Sequence, residues 1–348
     1  MNKVIIPTGY MGSGSSAITD ILSEFESYRA TNGSFEYIFM HCPGGVFDLE
    51  DKLLIGNNAV RSDEALHTFY KTMTELYNDK LWWPANYKKK IGQGFMNATE
   101  EYIKELIQYT PDTYWYMQEK YTFSVFFKMC LRKLVSLITN NKIVMDRPLI
   151  YKPMWISLVN DQEFYEITQK YLRKIFIHLG IEKNNLILDQ LILPFNLNRV
   201  GHYFDENVEC FVVERDPRDV FISNKYVWAK KGENVPYPTE AKAFCKYYKR
   251  LRNMEKGCVH NEHIHRINFE DLIYHYDEMI EKICNILQIS VKEHDMPKKY
   301  FNPQKSINNT QLFLKQDFCD EMSIIEKELK EYLYIFPYQR TVDMEKIF

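Results

Sequence analysis

An apolar run followed at once by closely spaced glycines and serines occupies residues 4–18 of the chain. The order of apolar run, glycine-rich turn and amphipathic helix predicts a strand, a loop and a helix of an α/β domain. Glycine lets a loop backbone approach an anion closely, and the N-terminus of the following helix offers it unpaired N–H groups. The stretch therefore predicts a phosphate-binding loop.

The glycine spacing of this loop is close to that of a Walker A motif, with Gly9 and Gly14 at the motif's first and sixth positions. Ser15 stands where the motif has its lysine, and Ser16 where it has Ser or Thr. Because that lysine reaches the β- and γ-phosphates, the loop suits a 5′-phosphate better than ATP or GTP hydrolysis. A plain glycine-rich turn between a strand and a helix is the alternative.

Length and composition exclude several classes of protein. The 348 residues suit one large α/β domain, or a domain with an insertion, and the formal net charge of −3 implies no general affinity for nucleic acid. Seven scattered cysteines without a C-x-x-C pair predict neither a metal site nor a disulfide framework. The first strand begins near Lys3, which leaves no room for a signal peptide, so a cytoplasmic location is expected. The oligomeric state is left open.

Residues 62–140 are helical in pattern and rich in aromatic side chains, which predicts a helical insertion that covers the acceptor side of the site. Aromatic faces suit sugar rings, and core packing is the alternative role. Within this region, residues 121–139 are strongly apolar but are broken by Lys128, Arg132 and Lys133. They predict an amphipathic helix that faces the core, with membrane-surface binding as the alternative.

Three further runs are strand-like, at residues 35–39, 142–145 and 186–188, and a helix is predicted at about 161–179. If 35–39 is the second strand of a parallel sheet, Glu36 lies near the phosphate loop. Glu36 is therefore the first candidate for a general base, and nearby His41 is the second. A solvated or ion-paired glutamate and an idle histidine are the alternatives.

A second phosphate-binding element is predicted after the β-rich run 210–214, which leads directly into Arg215. Asp216 is predicted to cap the next helix, with Asp219 as the acid of a capping box. Arg215 at the strand end and Ser223 in the helix would form a phosphate clamp. The alternative is an arginine engaged in a salt bridge to Asp216 or Asp219.

The sequence R-D-P-R-D-V-x-x-S at residues 215–223 closely resembles the 3′-phosphate-binding element of the sulfotransferases that use 3′-phosphoadenosine 5′-phosphosulfate (PAPS). Residues 11–16 resemble the 5′-phosphosulfate loop of the same family. Residues 268–272 and 301–306 are similar to its downstream segments, the second of which folds over the nucleotide. The resemblance covers about residues 1–50 and 185–310. It implies one P-loop NTPase-like sulfotransferase domain over residues 1–348, a three-layer α/β/α fold around a parallel sheet.

The resemblance also implies a reaction, in which a sulfonyl group passes from PAPS to a hydroxyl or amine and 3′-phosphoadenosine 5′-phosphate (PAP) is released. No metal is implied. The residues implied to bind the nucleotide are Gly12, Ser13, Gly14, Ser15, Ser16, Arg215, Ser223 and Lys305. The expected acceptor is a small molecule or glycan, with a carbohydrate as first choice.

One departure from the family concerns Gly12, which stands where the family has a lysine or arginine that binds the 5′-phosphosulfate. Lys305, Lys152 and Arg147 are the candidates to replace that cation. Two alternative functions stay open at this point: a nucleotide-binding protein without turnover on the same fold, and a P-loop kinase.

Overall fold

A computed structural model describes residues 2–30, 35–111, 113–151, 153–204, 207–255, 261–314 and 318–340. Within these residues the chain forms one parallel sheet of five strands, in the order β2-β3-β1-β4-β5. The strands are β1 Val4–Gly9, β2 Tyr28–Ala30, β3 Asn185–Ile187, β4 Val208–Glu214 and β5 Ile264–Asn268. The central strand β1 pairs with both β3 and β4, so the loop that follows it lies in the middle of the sheet's carboxyl edge.

Helices cover both faces of the sheet. The α-helices of the described residues before β3 are α1 Ser16–Leu22, α2 Val46–Leu54, α3 Ala59–Asn78, α4 Tyr87–Lys90, α5 Gly94–Leu106, α6 Phe123–Ile138 and α7 Asp161–Leu179. Those after β3 are α8 Val200–Tyr203, α9 Pro217–Ile222, α10 Ala241–Met254, α11 Asp271–Tyr274, α12 Tyr276–Leu287, α13 Pro303–Ser306 and α14 Cys319–Glu328. A π-helical turn, Ser223–Trp228, continues α9. Within the described residues, no helix combines the length and the apolarity needed to cross a bilayer.

The alternation of side chains along β1 divides the core into two layers. Ile5 packs with residues of α1 and α12 on one face of the sheet. Val4 and Ile6 pack on the other face, in a core to which α2, α3, α5 and α7 contribute. This arrangement confirms the predicted α/β fold, with helical layers on both sides of a parallel sheet.

Several elements confirm the sequence-based predictions. The run 186–188 overlaps β3, which is shifted by one residue, and the run 210–214 falls within β4. The helix predicted at 161–179 is α7, with the same ends. Asn160 and Glu163 form a capping box at its start, and Gly180 ends it with a φ of 97°, a conformation that suits glycine.

Two predicted strands are wrong. Residues 35–39 are not paired in the sheet, because β2 lies earlier, at Tyr28–Ala30, and takes the place beside β3. Residues 142–145 form no strand either: Ile143 and Val144 are 56% and 80% exposed, so this apolar run has no sheet to join. Both runs contain residues that favour strands, but this preference does not supply a neighbouring strand with which to pair.

The helical region has two different surroundings. Many of its aromatic rings are core residues that pack against the sheet-facing helices, among them Phe69, Tyr87, Phe95 and Tyr102. By contrast α6 is not the core-facing helix that its pattern predicts, because Val125 is its one buried residue. Whether the region is an insertion that covers the acceptor stays a prediction.

Candidate functional site

The loop after β1 presents unpaired backbone donors at the carboxyl edge of the sheet. Its turn is closed by the N–H of Ser13, which donates to the carbonyl of Tyr10 at 2.8 Å. The backbone N–H groups of Gly14, Ser15 and Ser16 find no hydrogen-bond partner among the described residues. Successive unpaired N–H groups at a helix start suit an anion, and anion binding by this loop stays a prediction.

Two aromatic rings lie against the glycines of this loop. Gly12 has a φ of +77°, and a β-carbon there would lie 2.9 Å from the ring of Trp228. Gly14 has a φ of +86°, and its β-carbon would lie 2.7 Å from the ring of Phe269. Neither position has the backbone conformation or the space for a side chain. The departure at Gly12 therefore has a steric cause in this protein, since Trp228 occupies the room that a lysine or arginine would need.

Arg215 reaches the phosphate loop from the end of β4. The side chain is buried, and Nη1 donates to the carbonyl of Gly12 at 2.9 Å while Nη2 donates to Ser223 Oγ at 3.3 Å. Nη2 also donates to the carbonyl of Asn309. Arg215 makes no ion pair with either Asp216 or Asp219, so the salt-bridge alternative is wrong.

Buried polar atoms without partners mark the space between the two elements. Ser13 Oγ and Arg215 Nε are both buried, and neither has a hydrogen-bond partner within the described part of the chain. Burial lowers the pKa of Arg215, against the raising effect of Asp219 and Glu270. Unpaired donors of this kind are costly unless an anionic ligand accepts from them. The donor set therefore fits a phosphate.

Asp216 and Asp219 have separate structural roles. Asp216 caps α9 as predicted, since its side chain accepts from the N–H of Arg218. The capping-box role predicted for Asp219 is wrong, because its carboxylate accepts from the N–H groups of Gln311 at 2.8 Å and Leu312 at 2.7 Å. Asp219 thus holds the segment that carries Asn309 against α9, which places a carbonyl oxygen on Arg215.

Gln190 connects the phosphate loop to the candidate base region. Its Nε2 donates to Ser15 Oγ at 2.9 Å, and its Oε1 accepts from Thr8 Oγ1 at 3.2 Å. Its carbonyl accepts from His41 Nε2 at 2.8 Å. The residue has a φ of +57°, which is uncommon outside glycine and often found at functional sites. Sequence reasoning assigned this residue no role.

The Asp189 carboxyl group, at the end of β3, is affected by the charges of two other carboxylates. Burial and the charges of Glu36 and Asp20 raise the pKa of Asp189 to about 7. Burial also raises the pKa of Glu36, and burial with the charge of Glu24 raises that of Asp20 to about 6. The N–H of Tyr37 donates to the carbonyl of Asp189 at 2.9 Å, which brings the Glu36 segment to the end of β3.

This contact is made although residues 35–39 are not paired in the sheet. Whether the Glu36 side chain lies near the phosphate loop stays a prediction. Asp189 and Asp20 were missed by the sequence reasoning, although a carboxylate directly after a strand was a usable signal for Asp189. His41 lies in the same region, but burial lowers its pKa to about 4, so the ring is neutral near pH 7. Its Nε2 proton is engaged by the carbonyl of Gln190, which leaves Nδ1 as the basic atom.

The proposed replacement cations lie in different surroundings. Lys305 is exposed on α13. Arg147 pairs with Glu119 at 2.7 Å, and about half of its side chain is exposed. Lys152 lies outside the described residues. Arg215 is the cation seen in contact with the loop itself, through Gly12.

The chain is similar to known sulfotransferases. The sequence model of the "Sulfotransferase family" matches residues 5–293, and no curated protein matches the chain. Solved structures with similarity include the sulfotransferase domain from the curacin biosynthetic pathway (13% identity, 99% of this chain and 95% of that chain, TM-score 0.38). Another is sulfotransferase STF9 from Mycobacterium avium (10% identity, 98% and 78% of the two chains, TM-score 0.36). At these TM-scores the assignment rests on the family match.

Proposed function

The chain belongs to the sulfotransferase family, and we propose that it moves a sulfonyl group from PAPS to a hydroxyl or amine of an acceptor. The observation that carries the proposal is the Arg215 guanidinium, which contacts both the phosphate loop at Gly12 and the second element at Ser223. A single cation between two anion-binding elements suits a nucleotide with phosphates at both its 5′ and 3′ positions.

Each part of the donor has proposed partners in the chain. The N–H groups of Gly14, Ser15 and Ser16, together with the buried hydroxyl of Ser13, would hold the 5′ end. Arg215 and Ser223 would hold the 3′-phosphate, while Lys305 remains a proposed surface contact. PAPS supplies the activated sulfonyl group, and the preorganised loop amides would stabilise the charge that develops on it.

The acceptor must lose a proton during transfer, and Glu36 is the proposed base. Burial of Glu36 favours its protonated form and so makes the carboxylate a stronger base than in water. Asp189, whose pKa is about 7, is the second choice that the structure adds. His41 follows, since a pKa near 4 makes the ring a weaker base near pH 7.

The proposed acceptor is a carbohydrate. Part of the aromatic-rich region remains available for it, because Trp82, Trp83 and Tyr109 are 44%, 59% and 60% exposed. Such rings suit the apolar faces of sugars. A cytoplasmic location is part of the proposal, and the described cysteines, which are all free thiols, support a reducing compartment.

The alternative of a nucleotide-binding protein without turnover comes from Gly12, where the family's cation is missing. The contact of Arg215 with the carbonyl of Gly12 supports the catalytic reading, because it brings a positive charge to the loop from another element. The kinase alternative is weaker, since Ser15 holds the place of the Walker lysine and its hydroxyl accepts from Gln190.

A thermal-shift comparison of PAP, AMP and ATP tests the donor assignment. A ligand that binds the native state raises the melting temperature by mass action, and PAP should raise it most because only PAP engages Arg215 through a 3′-phosphate. Equal stabilisation by AMP or ATP would contradict the assignment.

An acceptor screen with PAPS is the second experiment. Tight PAP binding with no transfer would favour the non-catalytic alternative, and magnesium-dependent ATP turnover the kinase.

A further inference from the structure

The helix α6 has its apolar side turned to solvent. Of its 16 residues, Val125 is the one that is buried. Seven large apolar side chains of the helix are between 43% and 88% exposed: Phe123, Phe126, Phe127, Leu131, Leu134, Leu137 and Ile138. Cys130 is exposed as well. A continuous apolar surface of this kind on a folded protein marks an interaction site.

The exposed apolar residues form one stripe on the helix. At about 100° per residue they occupy an arc of about 140°, which runs from Phe126 to Leu131. Val125, the one buried residue of the helix, lies opposite the middle of that arc. Lys133 lies about 20° beyond the Phe126 edge, and Lys128 about 60° beyond the Leu131 edge. The helix thus presents an apolar face to solvent, with a lysine beyond each edge of it.

The charge around the helix is opposite in sign to that of the whole protein. The chain carries 44 basic and 47 acidic residues. Residues 120–147 contain six of the basic residues and one acidic residue, Asp146. No ion pair of Lys128 or Lys133 is found among the described residues. The apolar stripe is therefore framed by positive charge that faces water.

Further apolar side chains are exposed in the segment after α6. Arg132 Nε donates to the carbonyl of Met145 at 3.0 Å, which holds this segment against the helix. Ile143 and Val144, just before it, are 56% and 80% exposed. Exposed apolar side chains are therefore found beyond the helix as well, in a segment that a side-chain-to-backbone hydrogen bond holds to the side of α6 opposite the stripe.

We infer that α6 docks this protein on an anionic lipid surface, with the apolar stripe in the outer acyl region and the flanking lysines among the phosphate headgroups. An interfacial helix needs this pattern, in which long cationic side chains extend from an apolar stripe to the headgroups. A second copy of the chain fits less well, because the two stripes would bring like charges together. Sixteen residues span about 24 Å, which is short of the hydrocarbon thickness of a bilayer, so the helix lies in the surface.

Vesicle co-sedimentation of the full chain without nucleotide tests the inference apart from any sulfotransfer. Wild-type protein should bind phosphatidylcholine vesicles that contain phosphatidylglycerol, and bind pure phosphatidylcholine much more weakly. Lys128→Gln/Lys133→Gln should reduce binding to the anionic vesicles about 30-fold, since each basic residue near the surface contributes about fivefold. Phe127→Glu/Leu134→Glu, in the middle of the stripe, should abolish binding.

Ile335→Glu is the matched control, because Ile335 is an apolar residue that is 90% exposed and lies outside α6. It should bind vesicles like the wild type. All variants alter exposed positions, so their melting temperatures should stay near that of the wild type. Absence of wild-type binding to anionic vesicles would overturn the inference. A concentration-dependent dimer that Phe127→Glu/Leu134→Glu dissociates, with no lipid binding, would overturn it in favour of a second copy.

Discussion

Arg215 Nη1 donates to the backbone carbonyl of Gly12 at 2.9 Å, across 203 residues of chain. The contact joins the phosphate loop after β1 to the strand–helix turn after β4. Because β1 and β4 are neighbours in the parallel sheet, their carboxyl ends meet at the same edge. The two predicted anion-binding elements therefore lie at one edge of the sheet, and a single buried guanidinium contacts both.

Substitution of Arg215 by alanine should weaken the binding of PAP more than the binding of AMP. A charge-assisted hydrogen bond contributes about 1.5–3 kcal/mol, so Arg215→Ala should weaken PAP binding roughly 10- to 100-fold. AMP, which has no 3′-phosphate, should lose less affinity than PAP. Isothermal titration calorimetry of both ligands measures the difference.

The control for this comparison is Arg61→Ala, which removes an exposed arginine of α3. It should leave both affinities unchanged. An equal loss of PAP and AMP affinity in Arg215→Ala would show instead that Arg215 acts through the loop, by holding the carbonyl of Gly12 in place.

Two glycine substitutions measure the cost of a side chain beside Trp228. Gly12 and Gly56 both have positive φ, at +77° and +65°, but a β-carbon meets the Trp228 ring only at Gly12, whereas Gly56 has open space. Each alanine should lower the free energy of unfolding by about 1 kcal/mol, because its side chain disfavours a positive φ. Gly12→Ala should cost about 1–3 kcal/mol more because of overpacking. Denaturant unfolding measures both, and equal losses would mean that Trp228 moves aside freely.

Glu36→Gln tests the proposed general base. The substitution keeps the shape of the side chain and removes the basic carboxylate, so turnover should fall about 10²- to 10⁴-fold. PAP affinity should stay nearly unchanged, because the base contributes to the chemical step. Steady-state kinetics and PAP titration measure the two effects. Near-normal turnover in folded Glu36→Gln would move the role to Asp189 or His41, for which Asp189→Asn and His41→Ala are the next variants.

The raised pKa of Asp189 predicts a dependence of stability on pH. Its pKa is about 7 in the folded protein and ordinarily 3.8, so the folded state keeps a proton that the unfolded chain has released. The contribution of this group to stability is complete below about pH 4 and is lost as the pH rises through about 7. Because asparagine does not titrate, Asp189→Asn removes that loss. The free energy of unfolding of the variant, relative to that of the wild type, should therefore rise by about 2–4 kcal/mol between pH 4 and pH 8.

Urea unfolding at the two pH values measures this gain, and Asp320→Asn, at an exposed position, serves as the control. The control should follow the wild type at both pH values. A constant difference between Asp189→Asn and the wild type would mean that Asp189 is ionised in the folded protein throughout this range.

Sequence reasoning succeeded where the signal is local. The first strand, the strand before Arg215 and the cap at Asp216 depend on neighbouring residues, and all three are present. It failed where the outcome depends on a distant partner. Asp219 occupies the capping-box position, yet its carboxylate binds the N–H groups of Gln311 and Leu312, more than 90 residues away. The run 142–145 has strand-like residues but no neighbouring strand.

By itself, the sequence determined local features: the strand that leads to Arg215, the cap at Asp216 and the helix at 161–179, because caps and apolar periodicity act within a few residues. The motifs at residues 11–16 and 215–223 carried the resemblance to the sulfotransferase family, which the family match confirms. Only the tertiary structure decided that Arg215 contacts Gly12, that Trp228 closes the space at Gly12, and that the apolar stripe of α6 faces outward. The same periodicity describes a helix whose apolar face meets a core and one whose face meets water or lipid. Which of these occurs depends on what the rest of the chain places beside it.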